Sequence, residues 1–330
     1  MAGVELLAHR LAQAGFEIAS LEAMTGGCIC VAGVAALRDG GQVFAKTLAE
    51  PESDMFSVEV EGLSALRELG DVRVPSVVYM SPQLLVLEAL RPCGAGVLFW
   101  ERFAHMVAGL HSSTITDRFG WHRDGRHGRL RQDNCWEIDG HTFFAQYRIL
   151  RWLREPLVAA EFDRTERQAL ERLCVALSEL VPAHPPSLTH GDMWPGNILA
   201  DVHGEPALID PAVSCGWPEI DLAALWCPPC PAASKRFFAV YQELARPFPG
   251  WRDQAQLLRI SDLFSVVAHG IDTWGAADLI RTLIAPFAAA SRATAALRAT
   301  HAPAQSRTVS PRGHHLCGCL GHQCSTWWSP

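Results

Sequence analysis

The chain has 330 residues, 49% of them hydrophobic, and a formal net charge of −7. That length exceeds one ordinary compact domain and suits two lobes or one large α/β unit. The acidic balance excludes the basic face of a nucleic-acid-binding domain, and no apolar run reaches the roughly 18 residues needed to cross a bilayer.

The opening stretch, MAGVELLAHRLAQAGFEI, carries Glu5, Arg10 and Glu17 and lacks the apolar centre of a signal peptide. It reads as an amphipathic helix with Val4, Leu7 and Leu11 on one face, and the protein as cytoplasmic. Between 16 and 49, short β-prone runs alternate with the turn signals Thr25-Gly26-Gly27 and Asp39-Gly40-Gly41, which predicts a three-stranded meander. PESDMFSVEVEGLSALREL follows, with Ser53 and Asp54 as candidate N-caps and Phe56, Val60, Leu63 and Leu66 on one helical face. RVPSVVYM and LLVLEAL predict two further strands, before Pro92 and Gly94 break the pattern. Residues 1–91 therefore read as a β-rich lobe of five strands and one main helix.

From GVLFWERFAHMVAGLH onward the helical period dominates, and segments 97–111, 140–160, 164–181, 234–246, 251–270 and 276–290 can each bury an apolar stripe. Within this second lobe, 92–290, one stretch interrupts the helices: LTHGDMWPGNILADVHGEPALID, residues 188–210, the only one with strand-like stubs at its ends. Residues 291–330 turn to Ala, Arg, Ser, Pro and Cys without period and read as a poorly ordered tail. Eleven cysteines in such a chain are more consistent with reduced thiols than with a disulfide framework. Cys227-Pro-Pro-Cys230 has redox spacing without the βαβ context, and Cys317, Cys319 and Cys324 of the tail fit no common zinc template.

The 188–210 stretch carries the chemistry. Phosphoryl transfer needs clamped nucleotide phosphates, a metal to neutralise developing charge, and a base at the attacking hydroxyl. In kinase catalytic loops an aspartate precedes an asparagine by five residues, and Asp192 and Asn197 reproduce that spacing. Asp210 follows a short apolar strand, where a second carboxylate can hold Mg²⁺ through hard oxygen ligands. Lys46, on the third predicted strand, can reach the phosphates of ATP, and Glu59 on the following helix can hold it as an ion pair. Gly26 and Gly27 permit close approach of backbone to phosphate, and Glu88, Ala89 and Leu90 lie where a strand becomes the linker that can meet adenine.

These residues resemble the fructosamine kinase (ketosamine-3-kinase) family, a branch of the protein-kinase-like, aminoglycoside-phosphotransferase-like enzymes. HGDMWPGN is similar to the family signature HGDLW[SP]GN, and LIDPAVSCGWPEIDLAAL to its DPA…G…E.DLA segment. MFSVEVEGLSALRELGDVRVP, LVLEAL, MVAGLH and FGW extend the likeness over roughly 15–290. The resemblance implies a two-lobed α+β kinase fold that uses ATP and Mg²⁺ to phosphorylate the 3-hydroxyl of ketosamines, free or on protein lysines. The unstable 3-phosphate then eliminates and frees the amine. It further implies Asp192 as proton acceptor, Asn197 and Asp210 as Mg²⁺ ligands, Lys46 and Glu59 as the phosphate clamp, and residues 88–90 at adenine. Trp194 is placed at the sugar, Asp221 as a buried support, and His111 as a capping or packing residue. Cys28 stands where some relatives form a redox-controlled disulfide dimer, which leaves monomer and redox-linked dimer both open.

The likeness is weakest after FGW, where the family run DN.IG..PQ.N becomes DGRHGRLRQDN and Arg123, Arg126, Arg129 and Arg131 crowd the segment. A solvated basic loop, or an acceptor carrying an anionic group, is the expectation there. Gly140 and Ala268 also replace a tryptophan and an asparagine of the family pattern. Two alternatives stand beside the main reading: a phosphotransferase of the aminoglycoside or choline kinase type, and a non-catalytic, redox-sensing nucleotide-binding protein.

Overall fold

The computed structural model describes residues 2–24, 30–50, 54–94, 96–226 and 230–288. Helix α1 (Ala2–Gln13) leads into a meander of β1 (Ile18–Met24), β2 (Val31–Leu37) and β3 (Gln42–Thr47). Helix α2 (Met55–Gly70) then crosses back before β4 (Val77–Met80) and β5 (Leu84–Glu88). The five strands form one antiparallel sheet in the order β1-β2-β3-β5-β4.

Strand alternation decides what each face of this sheet buries. Val43 and Ala45 of β3, with Leu84 and Val86 of β5, form a small core with Leu7 and Leu11 of α1. Their neighbours Leu85 and Leu87 turn the other way and join the main core together with Phe56, Leu63 and Leu66 of α2. Lys46 shares the parity of Phe44, so its side chain leaves the sheet on the α2 side. On α2 the buried positions Phe56, Glu59, Leu63, Leu66 and Gly70 recur at three- and four-residue steps, so Glu59 belongs to the inward stripe.

The short β6 (Arg91–Pro92) leads to the helical lobe, which begins with α3 (Val97–Ser113). A hairpin of β7 (Gly125–His127) and β8 (Leu130–Gln132) follows, then α4 (Gly140–Phe143), α5 (Pro156–Glu161) and α6 (Arg164–Leu180). Helix α6 starts on a capping box in which Asp163 and Glu166 satisfy each other's backbone amides. The chain continues through β9 (Ser187–Thr189), β10 (Ile198–Ala200), β11 (Pro206–Leu208) and β12 (Ser214–Gly216) to α7 (Glu219–Trp226). Helices α8 (Lys235–Leu244), α9 (Ala255–Leu258), α10 (Ile260–Ala268) and α11 (Ala276–Ile284) complete it. No helix of the described residues is long and apolar enough to cross a membrane.

Three expectations need correction. The 188–210 stretch is not the only strand-bearing part of the second lobe: β6 pairs with β10, β12 pairs with β9, and the arginine-rich segment is itself the β7–β8 hairpin. The 140–160 segment is not one helix. Asp139 caps α4, a π-helical turn spans Phe144–Ile149, a 3₁₀ turn spans Leu150–Arg154, and Pro156 opens α5 with its missing amide at the first turn. Helix α7 was not foreseen, because its residues are apolar nearly all round and show no 3.6-residue stripe. The expected tail, and Cys227, lie outside the described residues.

Gly140 is explained by its surroundings, since a Cβ there would stand 2.5 Å from Cζ of Phe119. Gly120, at φ +110°, is more constrained: a Cβ would lie 2.5 Å from the carbonyl oxygen of Cys135, and its backbone bridges to Cys215. Gly120→Ala should destabilise the fold by about 1–3 kcal/mol, the usual size of such backbone strain. Thermal melting checks this, with a fall of several degrees expected.

Candidate active site

The loop 190–197 leaves β9 and returns as β10, and its shape is fixed from beneath by one carboxylate. Asp221, fully buried on α7, accepts hydrogen bonds from the amides of His190 (2.7 Å) and Gly191 (2.9 Å) and from Nε2 of His111 (3.2 Å). Tyr241 meets the other nitrogen of His111 at 2.8 Å, so His111 is a member of this network rather than a simple packing residue. Burial alone would push the Asp221 carboxyl up, but the hydrogen bonds and the charge of His111 override it and hold it below the ordinary carboxylate range. The His190 ring closes the loop against the following strand, donating from Nε2 to the carbonyl of Ile209 (2.9 Å). Gly191 is obligatory here: φ is +80°, and a Cβ would stand 2.1 Å from the carbonyl oxygen of Ala212.

On this platform the side-chain amide of Asn197 donates to Oδ2 (3.1 Å) and to the backbone carbonyl (2.8 Å) of Asp192. The Asp192 carboxyl is pushed up to about 7, first by burial and then by the nearby charge of Asp210, with Asn197 opposing. Asp210 adopts φ +51° just past β11, a left-handed conformation that aspartate tolerates better than most residues. Its side chain is about half exposed and accepts from Lys46 Nζ at 2.5 Å.

Lys46 Nζ also pairs with Glu59 Oε2 at 2.6 Å, so one buried ammonium joins the sheet, α2 and the strand end after β11. Burial opposes the charge on Lys46, but the two carboxylates outweigh it and raise its pKa, so it stays charged. Glu59 is pushed up to about 7 by burial, with Lys46 acting against the shift. Helix α2 reaches this position because Gly62 lets it close on the segment after Asp210: a Cβ there would stand 2.9 Å from Cγ of Pro211.

Trp194 is about half exposed rather than packed in the core, and its ring lies over Gly196, where a Cβ would stand 2.2 Å from it. Glu88 ends β5 with its carboxylate held by Arg73 and by the amide of Ser76 (3.1 Å), while Ala89 and Leu90 connect β5 to β6. Gly26, Gly27 and Cys28 lie outside the described residues.

The arginine-rich segment is a hairpin rather than the expected solvated loop, and three of its arginines pair with carboxylates. Arg123 pairs with Glu61 (2.9 Å), Arg126 with Asp54 (2.5 Å), and Arg131 with Asp124 and Asp133. Trp121 Nε1 (3.0 Å) and His122 (2.9 Å) also engage Glu61, so the hairpin is tied to the helix that carries Glu59. His269, just past the end of α10, supports it by accepting the amide of Arg129 at Nε2 (3.1 Å). Sequence reasoning missed two residues at the centre. His127 of β7 approaches Asp192 Oδ1 at 3.8 Å, and Asp262 of α10 joins them in a three-residue group. The lone acid in the apolar run ISDLFSVVA was the available signal for Asp262.

A five-stranded antiparallel lobe, a helical lobe, a lysine paired with a helix glutamate and an aspartate–asparagine loop together define a kinase-like phosphotransferase. The comparisons narrow this. The fructosamine kinase family model matches residues 3–270, and the chain belongs to that family of ATP-dependent phosphotransferases. It is 29% identical over 264 residues to a Synechocystis protein assigned as a ketoamine kinase, covering 77% of this chain and 85% of the relative. It is 27% identical over 251 residues to a chloroplastic protein-ribulosamine 3-kinase of Oryza sativa subsp. indica, covering 73% and 71%. A crystal structure from Thermobifida fusca assigned to the fructosamine-3-kinases superposes with a TM-score of 0.74 at 29% identity, covering 90% of this chain and all of the other.

Replacing Asp221 by alanine removes the partner of a buried imidazole and two loop amides, which should cost about 3–5 kcal/mol. Because its folded-state carboxyl is held low, its stabilisation is full above the ordinary aspartate range and is lost as pH falls below that range through the depressed folded-state value. Melting curves of wild type and Asp221→Ala should therefore differ widely at pH 7 and converge only below about pH 4.

Proposed function

We propose that the protein transfers the γ-phosphoryl group of ATP to the 3-hydroxyl of a ketosamine, free or attached to a protein lysine, and so initiates removal of the sugar. The observation that carries this reading is the Asp192–Asn197 loop held within electrostatic reach of the Lys46–Glu59–Asp210 ion cluster. Asp192 accepts the proton of the acceptor hydroxyl, and a carboxyl poised near 7 is basic enough to do so at neutral pH. Lys46, oriented by Glu59, holds the ATP phosphates, and the backbone of Glu88, Ala89 and Leu90 faces adenine. Trp194, exposed at the mouth of the loop, offers an apolar surface to the sugar ring.

The donor set suits Mg²⁺. The Asn197 amide is turned so that its NH₂ serves Asp192, its carbonyl oxygen accepts no hydrogen bond among the described residues, and it and the Asp210 carboxylate are both hard oxygen ligands. Mg²⁺ held by Asn197 and Asp210 would supply charge neutralisation at the transferring phosphoryl group. Once the 3-phosphate forms, loss of a C1 proton expels phosphate from C3 far more readily than hydroxide would leave, and water then hydrolyses the resulting C1 imine to free the amine. The names of the ketoamine and ribulosamine kinase relatives support a ketosamine acceptor.

ADP release with Mg·ATP across fructose-lysine, ribulose-lysine and an aminoglycoside tests the acceptor class. Turnover should occur with the ketosamines and not with the aminoglycoside. Asp192→Asn should lower kcat by about 10²- to 10⁴-fold, the usual worth of a general base, with ATP affinity retained. Near-normal turnover in that variant would contradict the role given to Asp192. Lys46→Ala should weaken both ATP affinity and kcat, since phosphate positioning serves both.

A further inference from the structure

Near Asp192 lie two polar side chains that form no hydrogen bond among the described residues. His127 is buried at 8% exposure, with its ring edge-on to Trp152 at 6.1 Å. It makes no hydrogen bond among the described residues, and its Nε2 stands 3.8 Å from Asp192 Oδ1, beyond hydrogen-bond distance. The Asp262 carboxylate forms neither a hydrogen bond nor an ion pair among the described residues. One nitrogen or oxygen atom from each of His127, Asp192 and Asp262 lies within 4.8 Å of the others. His127 and Asp262 line a small cavity with Gln132, Thr189, Gly191 and Ser261. Arg148 also borders it, but its guanidinium is turned to Asn134 Oδ1, Ser214 Oγ and the carbonyls of Asp133 and Tyr147.

Asp262 is only partly buried, and a carboxylate without a protein partner at the wall of a cavity marks a position that a ligand can complete. Arg148 at the cavity edge is engaged elsewhere, and Arg259 is the nearby positive charge that favours the Asp262 carboxylate. Burial drives the His127 imidazole down to about 4, so it is neutral at pH 7 and cannot balance the two aspartates. Burial, with the charge of Asp192 added, pushes Asp262 up to about 7, which is the response of a carboxylate in need of a cation.

We infer that Asp262, with His127 beside it, forms the subsite for the acceptor's protonated amine, adjacent to the hydroxyl that Asp192 deprotonates. This rests on the ketosamine reading given above. In a ketosamine the amine nitrogen and the 3-hydroxyl oxygen are four bonds apart and span at most about 5 Å. Carboxylates within 4.8 Å of one another can therefore hold both ends of that unit at once. The neutral imidazole offers a hydrogen bond to the oxygen on the carbon between them. In the family run DN.IG..PQ.N, His127 falls at the isoleucine, so this chain has a polar group where that pattern is apolar.

The test compares two acceptors that differ only at the recognised group: an N-alkyl 1-amino-1-deoxyfructose and the corresponding 1-O-alkyl ether. Steady-state kinetics at saturating Mg·ATP are measured for wild type, Asp262→Asn and Asp262→Glu, with ATP affinity by calorimetry to verify folding. Wild type should prefer the amine. Asp262→Asn should lose roughly 30-fold or more in kcat/KM on the amine, mainly through KM, as expected for truncating a buried charge pair. It should be nearly unchanged on the ether, and Asp262→Glu should restore part of the loss. Equal losses on both acceptors, or no loss on the amine, would overturn the subsite. So would stoichiometric Mn²⁺ binding without nucleotide that Asp262→Asn abolishes, because that outcome assigns the cluster to a metal. A wild-type enzyme that binds ATP yet turns over neither acceptor overturns the ketosamine reading itself, and the subsite with it.

Discussion

One buried ammonium organises this molecule. Lys46 is almost fully enclosed and holds Glu59 and Asp210 at 2.6 and 2.5 Å, so three separate chain segments converge on a single charge. Such a charge is tolerated in the interior only because both partners are present; removing either leaves an uncompensated ion. Strand parity aims Lys46 at α2, the helical stripe aims Glu59 inward, and the left-handed turn at Asp210 brings the third member across from the helical lobe. The cluster is therefore both a structural junction between the lobes and a prearranged cradle of charge, which is what phosphoryl transfer requires.

The helical lobe contributes rigidity at the loop that meets this junction. Asp221 holds two successive loop amides, His190 binds the strand that precedes Asp210, and Gly191 permits a backbone approach that a side chain would block. The hairpin carrying Arg126 and His127 connects the two halves in a further way. Neighbouring residues on a strand point to opposite faces. Arg126 grips Asp54 at the start of α2, and His127 lies against Asp192. A segment that lies against Asp192 is thereby fastened to the start of the helix that carries Glu59.

Much of this was legible in the sequence because it rests on local periodicity and spacing. The five strands, α1, α2, and the order Lys46, Glu59, Asp192, Asn197, Asp210 follow from alternation, helical stripes and a loop bounded by apolar stubs. What was not legible depends on tertiary pairing. The arginines of the hairpin read as a basic loop because Asp54 and Glu61, which pair with Arg126 and Arg123, lie more than 60 residues earlier. The irregular turns at 144–154 carry Arg148, whose buried guanidinium reaches Asn134 and Ser214, partners that apolar periodicity does not reveal. His127 and Asp262 are 135 positions apart and carry no shared motif; only the fold sets them beside Asp192.

The central claim, that the arrangement directs a phosphoryl group to the hydroxyl next to the ketosamine carbonyl carbon, is tested most directly by the regiochemistry of the product. Phosphorus–proton correlation NMR on the reaction of Mg·ATP with fructose-lysine identifies the carbon bearing the new phosphate. The account predicts phosphate on the 3-oxygen, followed by its loss and the appearance of free lysine. A stable phosphate on any other hydroxyl, with the amine still attached to the sugar, would contradict it.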